Sequence, residues 1–176
     1  MQREQLHELL TRAAEVCARR EFIVFGSQSV HAYTAAPPAE VLVFVECDIW
    51  FHDEPQVASR LPAELGKDSA FAKTTGVYAD PLPPDLPLLP AGWQQRLRDL
   101  MIGDIRVRCL EIHDLMVTKL AAGRLKDYEF IAAVLMGKLA HADQAQRRIQ
   151  SFPDPHTQAL LLARLRIATE ATDVQL

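Results

Sequence analysis

Cysteine is scarce in this chain, with only Cys17, Cys47 and Cys109 and no Cys-x-x-Cys spacing. An odd, unspaced set argues against a disulfide framework or a zinc knuckle, and fits a reducing cytoplasm. Long hydrophobic runs are also missing. The longest that matters, residues 41–51, is interrupted by Glu46 and Asp48 and is too short to cross a bilayer as a helix, so no membrane span is expected. The first twenty residues intersperse charges on a helical repeat, where a secretory signal would have a charged tip, an apolar stretch and a cleavage site. Basic charge is not in excess. A net charge of −4 and a pI near 5.8 provide no large positive field, which excludes extended DNA binding and leaves only local nucleic-acid contact. There is no internal repeat or low-complexity tract.

What is present is an average globular composition, 49% hydrophobic and 24% charged, on a chain of 176 residues, enough for one core without disulfides or structural metal. Leu6, Leu9, Leu10, Ala13, Val16 and Cys17 recur at helical spacing and predict a first helix. Residues 21–25 read as a buried strand stopped by Gly26, and residues 27–33 as a short helix entered from that turn. Residues 35–40 form a proline-broken loop. The run 41–51, rich in β-branched and aromatic residues, predicts a second, central strand. A helix over 54–65, a short strand over 76–80 and a proline-rich excursion over 80–92 follow. Residues 94–102 and 105–110 flank Gly103-Asp104 as an antiparallel hairpin. From Ile112 the pattern is helical, with breaks at Gly123, Gly137 and Phe152-Pro153. The expected fold is α/β (α+β): a mixed sheet flanked by helices over 1–110, with a C-terminal helical segment, 111–176, packed on the same single domain.

Two short features carry chemistry. Side chains alternate along a strand, which puts Phe44, Glu46, Asp48 and Trp50 on one face and Val45, Cys47, Ile49 and Phe51 on the other. Both faces are otherwise apolar, so the strand is expected to be largely buried, and two ionised carboxylates there call for a cation or strong donors. Mg²⁺, which binds through one or two carboxylates plus substrate phosphates, is the natural compensator. The strand alone leaves open a plainer arrangement, in which both acids sit at its wet end or pair with an arginine. Gly26-Ser27, at a strand-to-helix junction, offers backbone N–H groups and a hydroxyl to a phosphate.

An apolar strand, Gly26-Ser27, a helix and the Glu46-x-Asp48 strand together resemble the nucleotidyltransferase superfamily. The stretches FGSQSVHAY, ECDIWF, SAFAKTTGVYAD, LPAGWQQRL and CLEIHDLMVTKLAAGRLKDYEF are similar to a group of small bacterial nucleotidyltransferase-like proteins. That group is related to abortive-infection (type IV toxin–antitoxin) toxins, and the likeness spans about residues 22–135. The chain departs from the usual motif in two respects: a longer interval between Ser27 and Glu46, and Glu in place of the first Asp. The resemblance implies a nucleotidyltransferase fold and Mg²⁺- or Mn²⁺-dependent transfer of NMP from an NTP to an RNA end or a protein hydroxyl. It also implies a toxin–antitoxin or phage-defence setting, with a cognate antitoxin or other protein as partner. Glu46, Asp48 and a third acid on a neighbouring strand, Asp80 with Glu111 as rival, would hold the metal and serve catalysis. Gly26 and Ser27 would hold phosphates. Lys119 would act on the departing pyrophosphate, with Arg124 and Asp127 as further nucleotide contacts, while the plainer alternative for these two and Lys126 is a solvated helix start capped by Asp127. His31, His52 and His113 lack partners at metal-ligand spacing and are expected to be structural. Ser27 has no base nearby in sequence, so a hydrolase triad is not supported. The alternative function is a catalytically inactive member of the fold that senses nucleotide or binds a partner.

Overall fold

The computed structural model describes residues 1–51, 55–82 and 88–173. His52 and part of the proline-rich excursion lie outside them. The chain divides into two compact units, Met1–Leu86 with Leu97–Leu110, and Pro87–Arg96 with Glu111–Leu176. Among the described residues no helix is long and apolar enough to cross a membrane.

The first unit is built on a mixed five-stranded sheet. Helix α1 (Arg3–Cys17) leads into β1 (Glu21–Phe25), then a 3₁₀ turn (Ser27–Ala32), the short α2 (Ala39–Leu42) and β2 (Glu46–Trp50). A second 3₁₀ turn (Pro55–Arg60), α3 (Leu61–Leu65) and α4 (Ala70–Thr75) precede β3 (Tyr78–Pro81); β4 (Arg98–Ile102) and β5 (Ile105–Cys109) form the hairpin. The strand order is β3-β2-β1-β5-β4. β2 is parallel to β3 and β1 to β5, whereas β1–β2 and β4–β5 are antiparallel. The fold class is therefore α/β. The apolar face of α1 (Leu6, Leu9, Leu10, Ala13), with Leu61 and Leu65 of α3, packs on Phe22, Val24, Cys47, Ile49, Val107 and Cys109, and this is the core. Burying that much aliphatic and aromatic surface is the main driving force for the unit, at about 1.5–3 kcal/mol per large side chain.

Two expectations for residues 41–51 need correction. Only Glu46–Trp50 is strand, because Ala39–Leu42 turns as a helix despite its β-branched neighbours. The Met1 α-ammonium donates to the carbonyls of Leu42 and Phe44, and Val41 is buried, so long-range contacts override local strand propensity. β2 is also buried on one face only. Cys47 and Ile49 are fully buried in the core, while Glu46, Asp48 and Trp50 are half-buried, because α1 and α3 cover a single side of the strand. Likewise, residues 94–97 are not strand: Trp93–Arg96 forms a 3₁₀ turn.

The second unit is helical: α5 (Ile112–Ala122), α6 (Leu125–Met136), α7 (Ala142–Gln150) and α8 (Pro155–Asp173), with α5 packed on the other three. Glu111 caps α5, its carboxylate accepting from the backbone N–H groups of His113 and Asp114. At the other end Gly123 adopts φ +64°, and the Arg164 guanidinium lies where a Cβ would stand, donating to the carbonyls of Leu120 and Ala121. Those carbonyls are orphaned by the helix end, so a cation there satisfies both the hydrogen bonds and the dipole.

Candidate functional site

The register of the sheet decides which side chains meet. β2 and β3 pair in parallel with Glu46 opposite Tyr78 and Asp48 opposite Asp80. Register partners in adjacent strands point to the same side of a sheet, so Glu46, Asp48, Tyr78 and Asp80 share the face turned away from the α1 core. Across β2, β1 brings Phe25 opposite Asp48 and so delivers the next residue, Gly26, to the acidic strand. Gly26 has φ +64°, and a Cβ added there would overlap Asp48 Oδ2. The glycine is required both by its left-handed backbone and by the carboxylate that occupies the space of its missing side chain.

The 3₁₀ turn that starts at Ser27 is anchored from three sides. Gln28 Nε2 donates to the carbonyls of Phe44 (3.0 Å) and Glu46 (3.2 Å). Ser29 Oγ donates to the Val24 carbonyl (2.9 Å) and accepts from Leu110 N–H (3.2 Å). His31 Nε2 meets the Met1 carbonyl at 3.3 Å. Ser27 itself is buried. Thus Gln28, next to Gly26-Ser27 in the chain, ties the turn to the start of the Glu46–Asp48 strand, and no sequence motif singles it out.

The electrostatics of the acidic face are those of crowded like charges. The Asp80 carboxyl is raised from its ordinary value, first by desolvation and then by the charge of Glu46. As a residue Asp80 is exposed, so solvent screens this effect and the displacement is modest. Tyr78 Oη donates to Glu46 Oε2 at 3.1 Å, and burial followed by the charge of Glu46 raises its phenol. Among the described residues no group of three or more His, Cys, Asp or Glu side chains is assembled to hold a metal ion. Oxygen donors on one face, with like charge to relieve, nonetheless fit a hard divalent cation that takes one or two carboxylates and completes its shell with phosphate and water.

The remaining expected residues lie in the helical unit. Lys119 Nζ bonds Asp127 Oδ1 (3.1 Å) and sits 4.5 Å from the centre of the Phe130 ring; it is buried, at 6% exposure. Arg124 Nε donates to Asp127 Oδ2 (2.7 Å), its Nη2 to Oδ1 (3.2 Å), and its backbone N–H also reaches Oδ2. Burial alone would push the Asp127 carboxyl up; the Arg124 hydrogen bond and the Lys119 charge outweigh it and hold the group below its usual range. Asp127 therefore caps α6, and the three residues form one ionic cluster.

Glu111, the rival third acid, is engaged as the α5 cap and bonds His113 Nδ1 at 2.7 Å. His113 Nε2 accepts from His141 N–H, so its proton is on Nδ1. A second buried carboxylate, Asp114, receives Arg96 through two bonds of 2.8 and 3.0 Å, with Arg148 Nε 3.1 Å away. His31 and His113 are buried, hydrogen-bonded residues.

On this face a glycine turn is set against an acid-x-acid strand with a further acid in register beside it. Over residues 4–152 the chain matches the family described as nucleotidyltransferase of unknown function (DUF6036), and it belongs to that family. Neither the curated proteins nor the solved structures yield a match.

Proposed function

We propose that the protein is a divalent-metal-dependent nucleotidyltransferase that moves NMP from an NTP to an RNA end or a protein hydroxyl, in a toxin–antitoxin or other defence setting. The observation that carries this reading is the contact of Asp48 with Gly26, with Asp80 in register on the next strand. Glu46 and Asp48 would hold Mg²⁺ or Mn²⁺, which when bound supplies charge stabilisation to the phosphoryl oxygens. Ser27 and the amides of its turn would hold outer phosphates. Asp80, in register with Asp48 on the neighbouring strand, would complete the metal site or accept the proton of the attacking hydroxyl. Within the helical unit Lys119, Arg124 and Asp127 form one ionic cluster, in which Arg124, with 58% of its side chain exposed, would be the contact for a phosphate, and Lys119 would act through Asp127.

The test is transfer of label from each α-³²P NTP, with Mg²⁺ or Mn²⁺, to RNA and protein in lysate. Wild type should label an acceptor and Asp48→Asn should not, while retaining its fold. Labelling by Asp48→Asn at the wild-type level would remove the acidic strand from catalysis. A second reading, a non-catalytic module that binds nucleotide or a partner protein, is favoured by the lack of an assembled three-ligand cluster among the described residues. It takes over if wild type binds NTP yet labels nothing.

A further inference from the structure

Glu46 is held twice by residues that are not themselves acids. Its backbone carbonyl accepts from Gln28 Nε2, and its side chain accepts from Tyr78 Oη at 3.1 Å. Tyr78 is itself fixed, because its backbone N–H donates to the Val45 carbonyl at 3.1 Å and its Cα is the register partner of Glu46. The hydroxyl therefore comes from a rigid strand position. A glutamate carboxylate on a half-buried face has several rotamers open to it, and repulsion from Asp48 and Asp80 favours those that swing it away. A neutral donor can hold it in place without cancelling the negative charge that a cation needs, which a lysine or arginine at the same position would do.

We propose that Tyr78 is a positioning residue of the acidic site, its hydroxyl holding the Glu46 carboxylate beside Asp48 and Asp80 for a divalent cation. This rests on the reading of that face as a metal site. Tyrosine suits this role because the residue is half-buried and its O–H reaches Glu46 on the neighbouring strand. Phenylalanine would keep the packing and lose only the hydrogen bond. Partners of this kind, which orient a ligand without touching the metal, typically change metal affinity about 10–100-fold when removed.

The experiment is a titration of the full chain with Mn²⁺ alone, followed by the loss of the free-ion electron paramagnetic resonance signal. Wild type, Tyr78→Phe, Glu46→Gln and the double variant are compared, with a thermal melt of each. Tyr78→Phe should weaken Mn²⁺ binding about tenfold with a melting temperature close to wild type. In the Glu46→Gln background the same change should alter affinity less than about twofold, since the group it positions is gone. Unchanged Mn²⁺ affinity in Tyr78→Phe, or full additivity in the double variant, would overturn the assignment. A lowered melting temperature with wild-type affinity would reduce Tyr78 to a structural role. If wild type itself takes up no Mn²⁺, the metal reading of the face fails, and that failure is visible before any variant is compared.

Discussion

At Gly26 two independent demands fall on one residue. Its φ of +64° disfavours any L side chain, and the Asp48 carboxylate fills the space a Cβ would need. Gly26→Ala should therefore cost about 1–3 kcal/mol of stability and, by displacing Asp48, abolish nucleotide transfer. A folded Gly26→Ala protein with wild-type transfer would show that Asp48 need not sit where it does. Lys119 poses the opposite question, since its ammonium is committed to a buried carboxylate. Lys119→Ala leaves Asp127 with Arg124 alone, and the expected result is a loss of about 3 kcal/mol in urea unfolding. Wild-type stability with selectively weakened NTP binding would instead restore the direct phosphate role that the sequence suggests. Gly26, Ser27, Glu46 and Asp48 stand out in the sequence by residue type and by the resemblance those short motifs carry, and the structure sets Gly26 against Asp48. Tyr78 and Gln28 do not stand out, because their importance lies in a strand register and in a hydrogen bond across 18 positions, neither of which leaves a local pattern.

Elements are legible where periodicity and breakers agree. α1 has its repeat of leucines, the β4–β5 hairpin its Gly103-Asp104 turn, and α5 ends at the predicted glycine. Residues 41–51 mislead because Val41 and Leu42 look like strand by composition, while the fold uses them in a helical turn pinned by Met1. α4 is not legible, as six residues are too few for a helical repeat; its one signal is Ser69, whose Oγ accepts from Ala72 N–H. The junction of β1, β5 and the first 3₁₀ turn depends on the hydroxyl of Ser29. Ser29→Ala would remove both bonds of the hydroxyl while the Val24 carbonyl and the Leu110 N–H keep their direct bond of 3.1 Å, so the expected cost is that of the lost bonds alone, about 0.5–1.5 kcal/mol. Urea denaturation should show a lower midpoint at unchanged slope. A midpoint equal to wild type would mean that water or a backbone shift replaces the bond.

For the molecule as a whole, buried groups rather than surface charges set the response to solution conditions. All three cysteines are free and buried, and burial pushes Cys47 well up and Cys109 to about 12, so the native thiols should be inert to thiol reagents and insensitive to reductant. A disulfide in the intact mass of native protein would contradict this.

The dependence of stability on pH tests the packing around the first 3₁₀ turn. His31 is 2% exposed, and desolvation lowers its imidazole from 6.5 to about 4, outweighing the bond to the Met1 carbonyl. The folded chain thus keeps this group neutral where the unfolded chain protonates it. No contribution is expected above pH 6.5; as the pH falls from 6.5 toward 4 the unfolded state gains a proton the native state refuses, and stability is lost. By about pH 4.5 the loss is about 2.5 kcal/mol. Two carboxylates pull the other way. Asp114, raised by burial despite Arg96, and Asp80, raised and largely screened, carry a penalty when ionised that is relieved as the pH drops toward 3.8. Asp127, held low, starts to lose its stabilising effect only below 3.8. The net profile therefore mixes signs, and the histidine is isolated by difference. Glutamine can present its amide near the position of Nε2 without titrating. His31→Gln and wild type, unfolded in urea at about pH 7 and about pH 4.5, should differ in their pH sensitivity by about 2.5 kcal/mol, wild type being the more sensitive. Parallel profiles would mean that the His31 ring takes up a proton in place, and that the turn carrying Gly26 and Ser27 is more open to solvent than its packing indicates.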